Sequence, residues 1–433
     1  MKRGAARLPV PGRARGWTIM RTFSGRTLGH ALVAAAIVPL AVLPVPPAAA
    51  AVTCAGLTAT IVGTDGNDTI VGTPGADVIA ALSGSDRVRG RGGDDVICGG
   101  YGADRLGGGT GDDRLFGGPG LYRDDRDGPH LLNDWLRGGP GDDTIIGGED
   151  PRDLPAPIPD VVDYSTAVRG LEIDLTLGTA RGQGKDTLSV QAWFVHASDQ
   201  DDIIIGGPYA DHIYGALGAD HLEGGPGPDV ITADVIGSPD GTADVLLGQG
   251  GADYLQAIDG PDLLVGGAGD DELADSGASV DRLLGRRGDD GITDILVPGD
   301  GQVLRGGPGD NRLDLRLSTS AGEYVQLPGV LDLEEGTTTV SWSPPVVAVT
   351  AGFTNVRMPE GDWTAYGTDA DEYFWEAVVG PRTIYAGGGD DYLGGSDSRD
   401  HLDGGAGYDR ASPLRRIDTC VSIEEVLYGE CER

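Results

Sequence analysis

Positive charge and bulky apolar side chains are both scarce in this chain. Of 433 residues only 32 are Lys or Arg, against 68 Asp or Glu, and aromatic residues make up 6%, with 5 Phe. Seven of the basic residues, Lys2, Arg3, Arg7, Arg13, Arg15, Arg21 and Arg26, fall in the first 50 positions, where no acid occurs; taking those seven from the net charge of −36 leaves −43 on the remainder. Charge of this sign repels phosphate backbones and anionic lipid heads, which excludes nucleic-acid or membrane-surface binding through simple electrostatics. The natural small counterions of such a chain are divalent cations. HExxH, GxSxG and CxxC motifs are also missing, so zinc-protease, serine-hydrolase and zinc-ribbon chemistry lack their residues. Carboxylates are so common that no glycosidase-like pair can be singled out.

Glycine is what the chain has in excess. Its 75 Gly and 27 Pro make up nearly a quarter of the sequence, where about 7% and about 5% are usual. That composition does not suit an ordinary enzyme core; it signals either a disordered acidic chain or a repeat with sharp turns.

From Met20 a basic start leads into an apolar run from about Ala31 to Val45, ending in the small residues Ala49, Ala50 and Ala51. This is the layout of a secretory signal peptide. The run is short for a membrane anchor and is broken by Pro39, Pro44, Pro46 and Pro47. Met1 and Met20 both remain possible starts. No second apolar run of spanning length follows, so the expected product is secreted, extracellular or at the cell surface, with no transmembrane segment after cleavage. Cys54, Cys98, Cys420 and Cys431 remain. An even count in an exported chain favours disulfides, and pairing Cys54 with Cys98 and Cys420 with Cys431 would staple each end.

Periodicity selects the repeat over disorder. Written in nines from Gly63, the sequence runs GTDGNDTIV, GTPGADVIA, ALSGSDRVR, GRGGDDVIC, GGYGADRLG, GGTGDDRLF without a gap. Position six is Asp68, Asp77, Asp86, Asp95, Asp104 and Asp113; position eight is Ile70, Ile79, Val88, Ile97, Leu106 and Leu115. Six acids in one phase arise by chance roughly once in 10⁵ trials. Gly at positions one, two and four permits positive backbone dihedrals in a tight turn, and the aliphatic residue lies on a short strand, facing inward while its neighbours face outward. Two strand-turn units complete one coil, so each turn lies over the turn 18 residues earlier. Carboxylate and carbonyl oxygens from both turns can then enclose a hard cation that accepts six to eight oxygens.

The phase returns at Asp134 and Asp143, at Asp202, Asp211, Asp220 and Asp229, at Asp244, Asp253, Asp262 and Asp271, at Asp281 and Asp290 after a one-residue slip, and at Asp391 and Asp400. Asn311, Glu372 and Asp409 also fall at position six, and there the readings as solvated turn residue and as ligand both stay open. His212, His221 and His401 sit at position seven, as do Arg87, Arg105 and Arg114, and are read as exposed strand residues rather than zinc ligands.

These units resemble the RTX, or haemolysin-type, calcium-binding nonapeptide GGxGxDxUx. The resemblance implies an all-β fold, a calcium-filled parallel β-roll (β-solenoid) with irregular β connectors, and multiple Ca²⁺ ions between successive turns. It pairs Asp68 with Asp86, Asp86 with Asp104, Asp77 with Asp95 and Asp95 with Asp113. RTX proteins exported by the type I route generally lack an N-terminal signal, so the leader departs from that pattern. Residues 160–196 resemble the DxVDYS…DLxxGxAxGxGxDxL connector between RTX blocks.

The expected organisation is a leader (1–51), a first RTX block (52–159), a strand-rich connector (160–196), a second block (197–314), a strand-rich interruption (315–366) and a C-terminal block with a cysteine-stapled tail (367–433). Both interruptions are read as irregular coils continuing the solenoid. The function expected is that of a secreted calcium-binding repeat protein, not an enzyme, with a structural or adhesive role and cell-surface or matrix polysaccharide as a candidate partner. The rival is an extracellular polysaccharide-active enzyme, epimerase or lyase in type, using a sheet face in one interruption.

Overall fold

The computed structural model describes residues 51–433, apart from 120–122, 126–127, 131–132, 149–159, 190–192, 235–240, 259, 278, 297–300, 318–324, 342–345, 376–378, 415–416 and 433. The expected leader lies outside the described residues. Among the described residues every regular element is a β-strand, and no helix is long and apolar enough to cross a membrane.

A three-residue core of each repeat sets the architecture. Position-eight residues Ile79, Val88, Ile97, Leu106 and Leu115 are buried, whereas Arg87, Arg105 and Arg114 at position seven are exposed. Burying one Leu or Ile contributes about 1.5–3 kcal/mol, too little to hold an isolated turn. Stacking joins these residues into one apolar column that continues through Leu136, Ile145, Ile204, Leu246, Leu283 and Leu402. Alternate strands enter two parallel ladders. Sheet one begins Ile61–Val62, Val78–Ser83, Val96–Tyr101, Arg114–Phe116 and Thr144–Ile146. Sheet two begins Thr69–Val71, Arg87–Gly92, Arg105–Thr110 and Trp135–Arg137. Register places like on like: Arg87 beside Arg105 and Val88 beside Leu106. On the outer faces the guanidiniums of Arg105 and Arg114 lie over the rings of Trp135 and Phe116.

Both interruptions continue the ladders, by one shared device. Sheet one takes up a three-stranded antiparallel meander each time. Thr144–Ile146 pairs in parallel with Lys185–Ser189; Thr179–Arg181 and then Glu172–Asp174 follow antiparallel, and Ile203–Ile205 resumes the parallel ladder. In the second, Val303–Arg305 meets Val346–Ala351, then Thr337–Val340 and Gly329–Asp332, before Trp363–Tyr366. The alternating apolar residues Leu171, Ile173 and Leu175 are buried, as a strand with one face on the core requires.

Both ends are stapled. The hairpin Thr53–Cys54 with Leu57–Thr58 folds back over the outer face of sheet one, where Cys54, Ala80 and Val96 form a separate buried patch, and Cys54 bonds Cys98. Cys420, in strand Ile417–Val421, bonds Cys431 in Glu430–Glu432. The expected pairing therefore holds. Because the hairpin lies outside the main column, replacing Cys54 and Cys98 by Ser should loosen residues 52–62 and leave the interior coils intact. Deuterium exchange should show faster exchange in that segment alone; protection lost throughout the first block would mean that the bond creates the roll.

Candidate metal centres between the turns

Each position-six residue ends a turn and starts a strand, which puts its backbone and its carboxylate into the stack together. The Arg105 N–H donates to the Asp86 carbonyl at 2.8 Å. The Asp86 N–H in turn donates to Oδ1 of Asp104, one coil on, at 2.8 Å. The same rung links Asp68 to Asp86, Asp77 to Asp95 and Asp95 to Asp113 at 2.7–2.8 Å. Two columns result. Edge one, leading into sheet one, carries Asp77, Asp95, Asp113, Asp143, Asp202, Asp220, Asp244, Asp262, Asp281 and Asp400. Edge two carries Asp68, Asp86, Asp104, Asp134, Asp211, Asp229, Asp253, Asp271, Asp290 and Asp391. All are buried except Asp68, which is half-buried on the first coil. Asn311, Glu372 and Asp409 also stand in the edge-two column.

Constant 18-residue stacking does not extend beyond ungapped blocks. Asp104 meets Asp134 and Asp113 meets Asp143 at a separation of 30, Asp220 meets Asp244 at 24, and Asp262 meets Asp281 at 19. The columns thus stay continuous while the sequence period breaks.

The first glycine of the repeat has a different reason from the one expected. Positions two and four have positive φ, as at Gly100 (104°) and Gly102 (146°). Position one does not. A Cβ built on Gly90 would lie 2.1 Å from Oδ2 of Asp95 and 2.5 Å from the Gly108 carbonyl oxygen, so close approach excludes a side chain there.

Position two also decides the state of the aspartate's second oxygen. Where its φ is positive, at Leu82, Arg91, Gly100, Gly109, Ala216, Gln249 and Arg286, Oδ2 of the same turn's aspartate (Asp86, Asp95, Asp104, Asp113, Asp220, Asp253, Asp290) is buried with no hydrogen-bond donor. The position-two N–H is turned away; that of Gly100 donates to the Gly117 carbonyl. In five turns where φ is not positive, the N–H turns inward and caps the carboxylate: Thr64 to Asp68, Thr73 to Asp77, Ser198 to Asp202, Gly207 to Asp211 and Ser396 to Asp400; at Asp262 the position-two N–H, of Ile258, goes to Asp234 instead and Oδ2 stays open. The predicted ligands thus divide into open and capped carboxylates, and most capping turns have Ser or Thr at position two.

Asn311 shows what the open turns lack. Its Oδ1 accepts the Asp290 N–H, and its Nδ2 donates to the carbonyls of Gly307 at 2.9 Å, Gly309 at 3.3 Å and Gly352 at 2.8 Å. Carbonyls of positions two and four and of a neighbouring coil therefore converge where the second side-chain atom sits. An aspartate there sets acceptor against acceptor, which in a buried site requires a proton or a cation between them. Arg382 fills an edge-one slot with its own charge: its N–H donates to Asp400 Oδ1 and its guanidinium to the Met358 and Pro359 carbonyls. The open slots offer only oxygen donors, which suits Ca²⁺.

Sequence periodicity missed four carboxylates of the columns. Asp143 donates to Asp186, whose Oδ2 accepts the Tyr164 hydroxyl, and Asp134 donates to Asp160; the breaks in period hid both. Asp418 lies 18 residues beyond Asp400 and continues its rung, a detectable spacing obscured by Cys420 in the aliphatic place. Glu424 closes edge two above Asp409 at a separation of 15.

Burial, the largest cause, and neighbouring column carboxylates push Asp104 and Asp113 up to about 6, Asp143, Asp229, Asp271 and Asp391 to about 7 and Asp220 to about 9, against one backbone N–H that lowers each. The metal-free roll then binds protons more tightly than the unfolded chain does. Stability from these groups is full below the unfolded carboxylate range near about 4 and is lost as pH rises through about 6 to 9. Metal-stripped protein should therefore melt at a higher temperature at about pH 5 than at about pH 8, while the Ca²⁺ concentration needed for folding falls over the same rise in pH. Flat profiles for both would exclude proton and cation competition for the open oxygens.

Substitution effects should follow place in the stack. Asp86→Ala removes a carboxylate shared by two successive turns and should raise the Ca²⁺ midpoint severalfold, Asp68→Ala less, and the outward control Arg87→Ala not at all. Gly93 and Gly75 both stand at position four, yet a Cβ on Gly93 (φ 92°) would lie 2.5 Å from the Ala76 N, whereas one on Gly75 meets nothing within 4 Å. Thermal melts should show Gly93→Ala costing about 1 kcal/mol or more and Gly75→Ala nearly nothing; equal costs would contradict the stacking.

Residues 62–97, 99–120, 132–150, 196–231, 240–273, 256–292 and 383–411 match the family model of the RTX calcium-binding nonapeptide repeat. No curated protein matches the chain. The matches cover turns of both edges and both long blocks, and the parallel two-sheet roll with its columns of buried aspartates is what such repeats build: the chain carries RTX calcium-binding nonapeptide repeats along much of its length.

Proposed function

We propose that this is a secreted protein whose biochemical activity is Ca²⁺ binding, whose folding is coupled to it, and whose role outside the cell is structural or adhesive. One observation carries the reading: the second carboxylate oxygens of Asp86, Asp95, Asp104, Asp113, Asp220, Asp229, Asp253, Asp271, Asp290 and Asp391 are buried without a hydrogen-bond donor. Bound there, Ca²⁺ supplies positive charge among oxygens that repel one another, and the open aspartates with turn carbonyls would hold it. With −43 on the chain beyond residue 50 and few residues, mostly single aliphatics, buried per rung, the metal-free chain is unstable near neutral pH. The disulfides suit an oxidising compartment. A matrix or cell-surface polysaccharide is the proposed partner, and no catalysis is assigned.

Far-UV circular dichroism of the metal-stripped chain at neutral pH should show little β structure, with full β signal restored by Ca²⁺ at about 10⁻⁴ to 10⁻³ M, the range of extracellular modules. Full β signal in excess chelator would refute the coupling. Incubation of the folded protein with alginate-like and pectin-like polymers should leave them chemically unchanged; new unsaturation or altered residue composition would replace the structural role with an enzymatic one.

A further inference from the structure

Edge one changes character in the second block. Its turns lengthen before Asp244 and Asp281, and the place held on edge two by Gly224, Gly248, Gly266 and Gly285 is taken by Ala233, Ala257, Asp275 and Asp294. Asp234, at position two, lies beside Ala216 in the ladder. Carboxylates thus enter the turn from the strand side, opposite the position-six column. Oxygens of Asp234, Asp244 and Asp262 lie within 4.8 Å of one another, and so do oxygens of Asp262, Asp275 and Asp281. All five residues are buried.

Hydrogen bonds hold this group without neutralising it. Oδ1 of Asp262 accepts the Asp244 N–H at 2.8 Å, Oδ1 of Asp281 accepts the Asp262 N–H at 3.0 Å, Oδ2 of Asp234 accepts the Ile258 N–H at 2.8 Å, and Oδ1 of Asp275 accepts the Gly277 N–H at 2.6 Å. Oδ2 of Asp262 and Oδ2 of Asp275 have no donor. Beside them, Gln302 occupies position six of the next coil. Its amide donates to Asp294 at 2.6 Å, while its carbonyl oxygen is buried without a donor. The Ser279 hydroxyl donates to Asp281, but among the described residues no donor reaches Oδ2 of Asp262, Oδ2 of Asp275 or the Gln302 carbonyl oxygen.

The geometry points to a two-cation centre on edge one, in which Asp262 bridges one divalent cation held with Asp234 and Asp244 and a second held with Asp275 and Asp281. The inference rests on the calcium reading above but assigns carboxylates outside the position-six columns. Each cation meets three carboxylates where an ordinary turn offers two, and every donor is oxygen, which selects a hard cation such as Ca²⁺. Since affinity rises with ligand charge, these two positions fill first.

The full chain, stripped of metal and dialysed against Ca²⁺ buffered at about 10⁻⁶ M, well below the range of ordinary extracellular sites, tests this by atomic absorption. The parent should retain about two ions per chain and D275N or D234N about one, since Asn keeps the acceptor for the Gly277 or Ile258 N–H while removing the charge. R87A, the outward-facing control in the first block, should retain both. No ion held by the parent, as when protons neutralise the group instead, overturns the proposal, and so does unchanged retention in D275N and D234N. If a variant fails to reach the parent's circular dichroism in millimolar Ca²⁺, the parent's own retention decides. Failure of the calcium reading as a whole looks different: no ions bound and no spectral change even at millimolar Ca²⁺.

Discussion

The rung from one aspartate's N–H to the next aspartate's Oδ1 is the constraint on which the roll depends. It fixes the coil-to-coil register, and by occupying the outer oxygen it forces the inner one among the turn carbonyls. Every turn must then balance an acceptor surrounded by acceptors. The molecule uses several solutions: an N–H of the same turn at Asp202, a tyrosine hydroxyl at Asp186, an amide at Asn311 and a guanidinium at Arg382. The open aspartates are the turns for which the chain supplies no partner of its own.

This constraint reaches into the backbone. Five residues with side chains, Leu82, Arg91, Ala216, Gln249 and Arg286, hold φ between 72° and 88° at position two. Such conformations cost of order 1–3 kcal/mol and persist only where surroundings over-determine them. Each allows the carboxylate to remain open while the backbone N–H is turned away from it. Local strain, coil stacking and the charge state of the turn are therefore one coupled problem, which is why a single short repeat would not fold alone.

Much of this was legible in the sequence. The period of nine, the inward aliphatic column and the outward Arg87 and Arg105 follow from residue type and spacing, and both disulfides from the even cysteine count and their places at the two ends, although the 44-residue separation of Cys54 from Cys98 does not fit the 18-residue coil. Other features were not, for physical reasons. The crowding at Gly90 comes from Asp95 and from the next coil, and no local pattern records that contact. Period cannot follow a column whose intervening loop grows, so Asp186 and Asp160 stayed hidden although their rungs are ordinary. Whether an aspartate is open or capped depends on where the position-two N–H points; Ser or Thr at position two signals the capped form, but Gly207 takes it without that signal. Asp234 and Asp275 break the motif and read as noise until the fold places them beside Asp262.

The two meanders in sheet one make spatial order differ from chain order. Moving up the stack from Thr144–Ile146, the next strand is Lys185–Ser189, and Glu172–Asp174 lies beyond it. A chain emerging from its N-terminus cannot extend sheet one past Ile146 until the later strand has arrived, and the same holds at Arg305, which must wait for Val346–Ala351. Growth of the roll is thus divided into three segments with an obligatory halt between them. Each halt exposes an unpaired sheet end to other chains while the missing strand is awaited.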